Sequence, residues 1–302
     1  MFKKMLLFIA VFCGTAVSII AADEKTSEAT IAAALKNVEA VKPKAKRKVL
    51  VFALTQGYRH KSIGVGKVMM KLMGEKTGAF EAVISDDLAN FEPGKIDDFD
   101  AICFLNTTNE VFSPKKKELK NMSEADKKDS VKREARLKKS FMNYIKSGKG
   151  FIGIHAATDT FYKWPEYGVM IGGYFDGHPW RARDSVSIKV EDGEEKHPCC
   201  AHLDGNNLNF KEEIYQFKEP YDSKKVHMLL RLDPEQTDIS KGKRDDEDYG
   251  VSWMKPHGNG RVFYSSLGHN DHIYDNPQVL QHFLKGMQWA LGDLDAEMKL
   301  GN

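Results

Sequence analysis

The chain is poor in cysteine: 4 in 302 residues. One of them, Cys13, lies in an N-terminal apolar run, which leaves Cys103, Cys199 and Cys200. An odd remainder argues against a disulfide framework. Cys103 sits in the apolar stretch AICFL and is expected in a core. Cys199 and Cys200 are adjacent, where a bridge would be strained. The chain also lacks a strong charge bias, with 45 basic against 43 acidic residues and a formal net charge of +2. That removes any global drive toward nucleic acid. It has no HExxH, no CxxC pair and no GxGxxG after its first strand, so the usual zincin, paired-cysteine and dinucleotide signatures are missing. No nucleotide cofactor is expected.

The N-terminus carries Lys3 and Lys4, then an apolar run from Met5 to Ala22 that ends in AAD. This is the layout of a secretory signal peptide, here residues 1–22, and it implies an exported, periplasmic or secreted product. The run is about 18 residues, marginal for a bilayer span, so no stable membrane anchor is expected. Residues 23–47 are rich in Ala, Lys and Glu and read as a polar linker.

A domain is expected over residues 48–294. KVLVFAL is a β-rich apolar run, as a strand buried on both faces should be. A helical pattern follows through Val65, Val68, Met69 and Leu72, then strands FEAVIS and DAICFLN. Around residues 113–139 lies a charged helical insertion whose end, through Leu137, Phe141, Met142 and Ile145, carries a buried stripe. Its acidic and basic residues are interleaved without an aromatic platform, which argues against nucleic acid. GFIGI is the fourth strand. This alternation is the rhythm of a doubly wound parallel sheet. The later segments SVSIKVED, NFKEEIYQF, KVHMLLRL and the pair around PHGNG read as added antiparallel strands, and NPQVLQHFLKGMQWALGDL as a C-terminal helix capped by Asn276.

In such sheets ligands bind beyond the carboxyl ends of the strands. Several histidines fall there: His60 in TQGYRHKS, His155 in GFIGIHAATD, His178 in GGYFDGHPW and His269 in SSLGHN. Imidazole titrates nearest neutrality, so each serves as acid, base or metal ligand. A cluster of them would suit zinc or a similar divalent ion. Around them lie Arg59, Lys61, Asp159, Asn270 and Asp271, with Trp164 and Trp180 as possible aromatic faces for a sugar.

Four motifs, VLVFALTQGYRHKSI, GKGFIGIHAATDTF, GGYFDGHPW and GRVFYSSLGHN, together resemble the ThuA-like family, named for trehalose utilisation. The resemblance spans roughly residues 48–293. It implies a flavodoxin-like, class I glutamine amidotransferase-like α/β fold. In the amidotransferases the turn after the fourth strand reads GxCxG, with a nucleophilic cysteine. Here it reads Gly153-Ile154-His155-Ala156-Ala157, which excludes thiol acyl chemistry at that turn. The resemblance also implies the handling of disaccharides, glycosides or 3-keto-sugars. His60, His155 and Asp159 are then the expected catalytic residues, with His155 as general base or metal ligand and Asp159 orienting an imidazole. His60, His155, His178 and His269 are the expected metal ligands. Arg59, Lys61, Trp164, Trp180, Asn270 and Asp271 are expected to bind substrate. A non-catalytic sugar-binding protein with the same pocket is the competing expectation.

Overall fold

The computed structural model describes residues 26–300, so the expected signal peptide lies outside the described residues. The elements follow in chain order. They are α1 (Glu28–Ala34), β1 (Lys48–Phe52), α2 (Ile63–Thr77), β2 (Glu81–Ile84), β3 (Ala101–Leu105), α3 (Lys116–Asn121), α4 (Glu124–Lys146) and β4 (Gly150–Ile154). After these come α5 (Pro165–Ile171), β5 (Tyr174–Phe175), β6 (Ser185–Val190), β7 (Leu208–Lys211), β8 (Phe217–Lys218), β9 (His227–Leu232), β10 (Gly250–His257), β11 (Gly260–Ser265) and α6 (Pro277–Ala290).

Nine strands form one sheet in the order β2-β1-β3-β4-β11-β10-β9-β6-β7. The first five positions run parallel, the order of a flavodoxin-like half, and β10, β9, β6 and β7 continue it antiparallel. The expected α/β class is what the chain adopts. Strand β1 shows why its sequence is continuously apolar. Val49 and Val51 belong to a core with α2 and α6, while Leu50 and Phe52 belong to a second core with α4 and α5. Alternate side chains point to opposite faces, and helices cover both.

The charged stretch is the front of α4. Leu137, Phe141, Met142 and Ile145 are buried on one side. Arg133 and Arg136 on the charged front pair with Glu92, and Lys138 pairs with Glu134. No described helix is long and apolar enough to cross a membrane.

Residues 26–47 are a packed arm rather than the expected linker. Ser27 caps α1, and Ile31 and Leu35 are buried. Further on, the backbone has no sheet partner and two α6 glutamines supply one. Gln281 accepts from Glu39 N at 2.7 Å and donates to Glu39 O at 2.9 Å; Gln288 does the same for Val41 at 2.9 and 2.7 Å. Arg47 then grips Asp293 with a 2.6 Å contact. Composition alone hid this, because the apolar residues are few and the pairing is long-range.

Candidate metal centre

Three parallel strands, β1, β4 and β11, end on the same edge of the sheet, and each delivers one histidine just beyond its carboxyl end: His60, His155 and His269. A buried network ties these loops together. Ser62 Oγ donates to Gly268 O at 2.9 Å, and the Asn106 amide donates to Ser62 Oγ at 3.1 Å and to Gly268 O at 3.2 Å.

His155 sits at the tip of the turn with φ 48°, a left-handed conformation that costs a non-glycine residue about 1–3 kcal/mol. Its surroundings enforce that conformation. Its carbonyl accepts from Tyr264 OH at 2.8 Å, and its ring lies 4.4 Å from that of Tyr215. Its Nδ1 is 2.6 Å from Ser266 O. A carbonyl only accepts, so Nδ1 carries the proton and Nε2 presents a lone pair.

A fourth group comes from the break between β7 and β8. NFKEEIYQF, expected as one strand, stops pairing after Lys211, and Glu212 and Glu213 turn inward. Glu213 Oε1 lies 3.0 Å from His269 Nδ1 and 3.5 Å from His155 Nε2. One donor atom each from His60, His155, Glu213 and His269 fall within 4.8 Å of one another. His60 Nδ1, His155 Nε2 and His269 Nδ1 are buried and none makes an aligned hydrogen bond. Three orphaned imidazole nitrogens and a carboxylate around one point form a donor set that fits a divalent ion such as zinc.

The electrostatics keep His60 and His155 in the neutral, ligand form. Burial, then repulsion from His155 and His269, pushes His60 down to about 2. Burial also lowers His155, partly offset by Glu213. Burial lowers His269 as well, but the adjoining Glu213 carboxylate outweighs it and raises the group. Glu213 is itself pushed up by burial and pulled down further by the two imidazoles, ending below the usual carboxylate range.

His178 lies outside this group. Its Nδ1 is 3.7 Å from the other Glu213 oxygen, and its side chain is 45% exposed, so it faces solvent. Asp159, expected to orient an imidazole, accepts from Tyr162 OH at 2.5 Å instead. It stands four residues beyond His155 in a 3-10 turn, which rotates it about 120° away from that ring. Burial, opposed by the Tyr162 bond, raises it to about 6. The carboxylate that faces the imidazoles is Glu213, which the sequence reading passed over.

The two tryptophans are not sugar platforms. Trp180 is 1% exposed, donates Nε1 to Asp238 O at 2.9 Å and packs edge-on against Tyr249. Trp164 is buried against Phe141, Phe161 and Tyr167. An indole buries more apolar area than other side chains, and here both were drawn into the core. Arg59 and Lys61 are exposed beside His60. Lys61, Asn270 and Asp271 line a cleft of about 950 Å³ that opens at His269, with Tyr58 on its wall.

A second buried group, Glu194, His197 and His227, also has unpartnered Nε2 atoms, but its rings are engaged by the backbone at Nδ1. His227 Nδ1 accepts from Lys299 N at 2.9 Å, and His197 Nδ1 accepts from Cys199 N at 3.2 Å. A neutral His197 ring that accepts at Nδ1 carries its proton on Nε2, whereas His227 Nδ1 also lies 3.2 Å from Lys299 O.

The family model for ThuA, trehalose utilisation, matches residues 48–290. The chain belongs to the ThuA family. That family is linked to trehalose utilisation and carbohydrate metabolism. Among solved structures, a ThuA-like protein from Bacteroides uniformis aligns at TM-score 0.58 and 22% identity, covering 82% of this chain and 94% of that one. A ThuA-like protein from Parabacteroides merdae aligns at 0.58 and 18%, covering 84% and 93%. At these identities the likeness establishes the ThuA fold. No curated protein matches the sequence.

The ThuA turn after β4 thus has the tight, strained form of a nucleophile elbow with histidine at its tip. The three described thiols lie elsewhere, all buried and unpaired, and burial pushes Cys103, Cys199 and Cys200 up, Cys200 to about 12.

Proposed function

We propose that this chain is an exported, metal-dependent enzyme that processes a disaccharide, glycoside or 3-keto-sugar by hydrolysis, elimination or isomerisation. The observation that carries this reading is the convergence of one donor atom each from His60, His155, His269 and Glu213 within 4.8 Å, where each of the three imidazoles has a buried nitrogen without an aligned partner. Lys3, Lys4 and the apolar run behind them support export.

His60, His155, Glu213 and His269 would hold the ion. It would supply Lewis acidity for a sugar oxygen. The chain's own groups do the rest. His155, enclosed and fixed by Ser266, acts as a ligand rather than as the general base. His178 takes the proton role: it faces solvent and contacts the outer oxygen of Glu213, so it can exchange protons between site and water. A keto group acidifies its neighbouring C–H, which an imidazole base can then remove. Tyr58, Lys61 and Asn270 position the sugar in the cleft. The purely sugar-binding alternative loses support, because both candidate tryptophan faces are buried.

Elemental analysis of the purified chain tests the reading, together with turnover of 3-keto-glucosides before and after chelation. Stoichiometric divalent metal is expected, and Glu213→Gln or His269→Ala should lose it along with turnover. Full turnover by metal-free protein would overturn the proposal.

A further inference from the structure

The cleft beside the histidines has a charge pattern that a neutral sugar does not need. Lys61, Arg183 and Lys211 line it, against one carboxylate, Asp271. Some other cations of this half are paired within the protein: Lys189 with Asp192, Lys218 with Asp176 and Lys241 with Asp184. Among the described residues, Lys61, Arg183 and Lys211 form no ion pair. A solvated surface of scattered lysines would show the same lack of partners, but these three come from separate segments that share one concave wall with His269.

That wall is built, not incidental. The Asn270 amide donates to Ala182 O at 2.8 Å and to Lys211 O at 3.0 Å, which clamps the backbone beside Arg183 and that of Lys211 onto the histidine loop. Glu212 fastens the same loop from below through the amides of Gly268, His269 and Asn270. Three like charges are therefore held around one cleft without a counter-charge of their own. The volume, about 950 Å³, suits a sugar-sized ligand.

We infer that the sugar taken by this site carries an anionic group, a carboxylate or a phosphate, received by Lys61, Arg183 and Lys211. This rests on the enzymatic reading above and names its substrate class. The anion lies in the cleft while the reacting carbon faces the histidines.

Calorimetric titration of the full chain with glucuronate, glucose 6-phosphate and glucose tests it. At least one anion should bind about tenfold or more tighter than glucose, as charge-assisted contacts imply, and the two arms tell carboxylate from phosphate. The double variant Arg183→Gln, Lys211→Gln should bring that anion to within about threefold of glucose, and added salt should erode the preference in the unmodified chain. Equal binding of all three sugars, no measurable binding of either anion, or a preference that survives the double variant each overturns the inference. Metal content read on the same samples separates the failures: metal present without anion preference sinks this inference alone, and metal absent sinks the enzymatic reading.

Discussion

Glu212 has no exposure to solvent, and its carboxylate is held by backbone amides with the charge of His269 nearby. Burial raises it to about 7 against the amides of Gly268, His269 and Asn270, which pull it down. Those amides belong to the loop that carries His269. Glu212→Gln keeps the shape but turns an NH₂ toward backbone donors. It should cost about 1–3 kcal/mol of stability and weaken metal affinity about 10–100-fold, as loss of an outer-shell partner does. Urea unfolding and a competition titration against a chelator measure the two; an unchanged affinity would refute the positioning role. At this scale the sequence showed three of the four donors of the centre. His60, His155 and His269 were legible because each follows an apolar run at the carboxyl edge, where the fold class places ligands. Glu213 was not, since NFKEEIYQF alternates like a strand. The available signal was the adjacent pair Glu212 and Glu213 inside that run, which a regular strand would place on both faces at once.

Elements were legible where one segment carries its own pattern. The helix α6 and its Asn276 cap, the parallel strands and the β10–β11 hairpin fall where periodicity and turn residues put them. The arm did not, because what folds it is elsewhere in the chain. Its sequence offers a few apolar residues, and its backbone is satisfied by Gln281 and Gln288 on α6. The difference is measurable. Ile31 is 1% exposed in the α2–α6 core, so Ile31→Ala should destabilise the chain by about 2–5 kcal/mol. A true linker would tolerate it within about 0.5 kcal/mol. Thermal or urea unfolding decides between them.

The described residues are built on one nine-stranded sheet with a core on each face, beside the small β5-β8 pair, and the antiparallel half is more than an addition. The parallel half supplies three imidazoles from β1, β4 and β11 and Lys61 of the cleft wall, while the carboxylate and the other two cations of that wall, Arg183 and Lys211, come from the antiparallel half. The centre therefore exists only when the two halves are paired, and β10 is the seam, hydrogen-bonded to β11 on one side and β9 on the other. The thiols report on that unity. Cys103 lies in β3 in the parallel half, and Cys199 and Cys200 lie in the antiparallel half near β9 and β10. All three are buried in the same core. If the sheet opens as one unit, a thiol reagent should leave all three unmodified in native buffer, and in denaturant their labelling should follow one common unfolding curve. If the halves open separately, Cys199 and Cys200 would label at lower denaturant than Cys103. Metal affinity would then fall at the first of these transitions, because Glu213 would part from the three imidazoles.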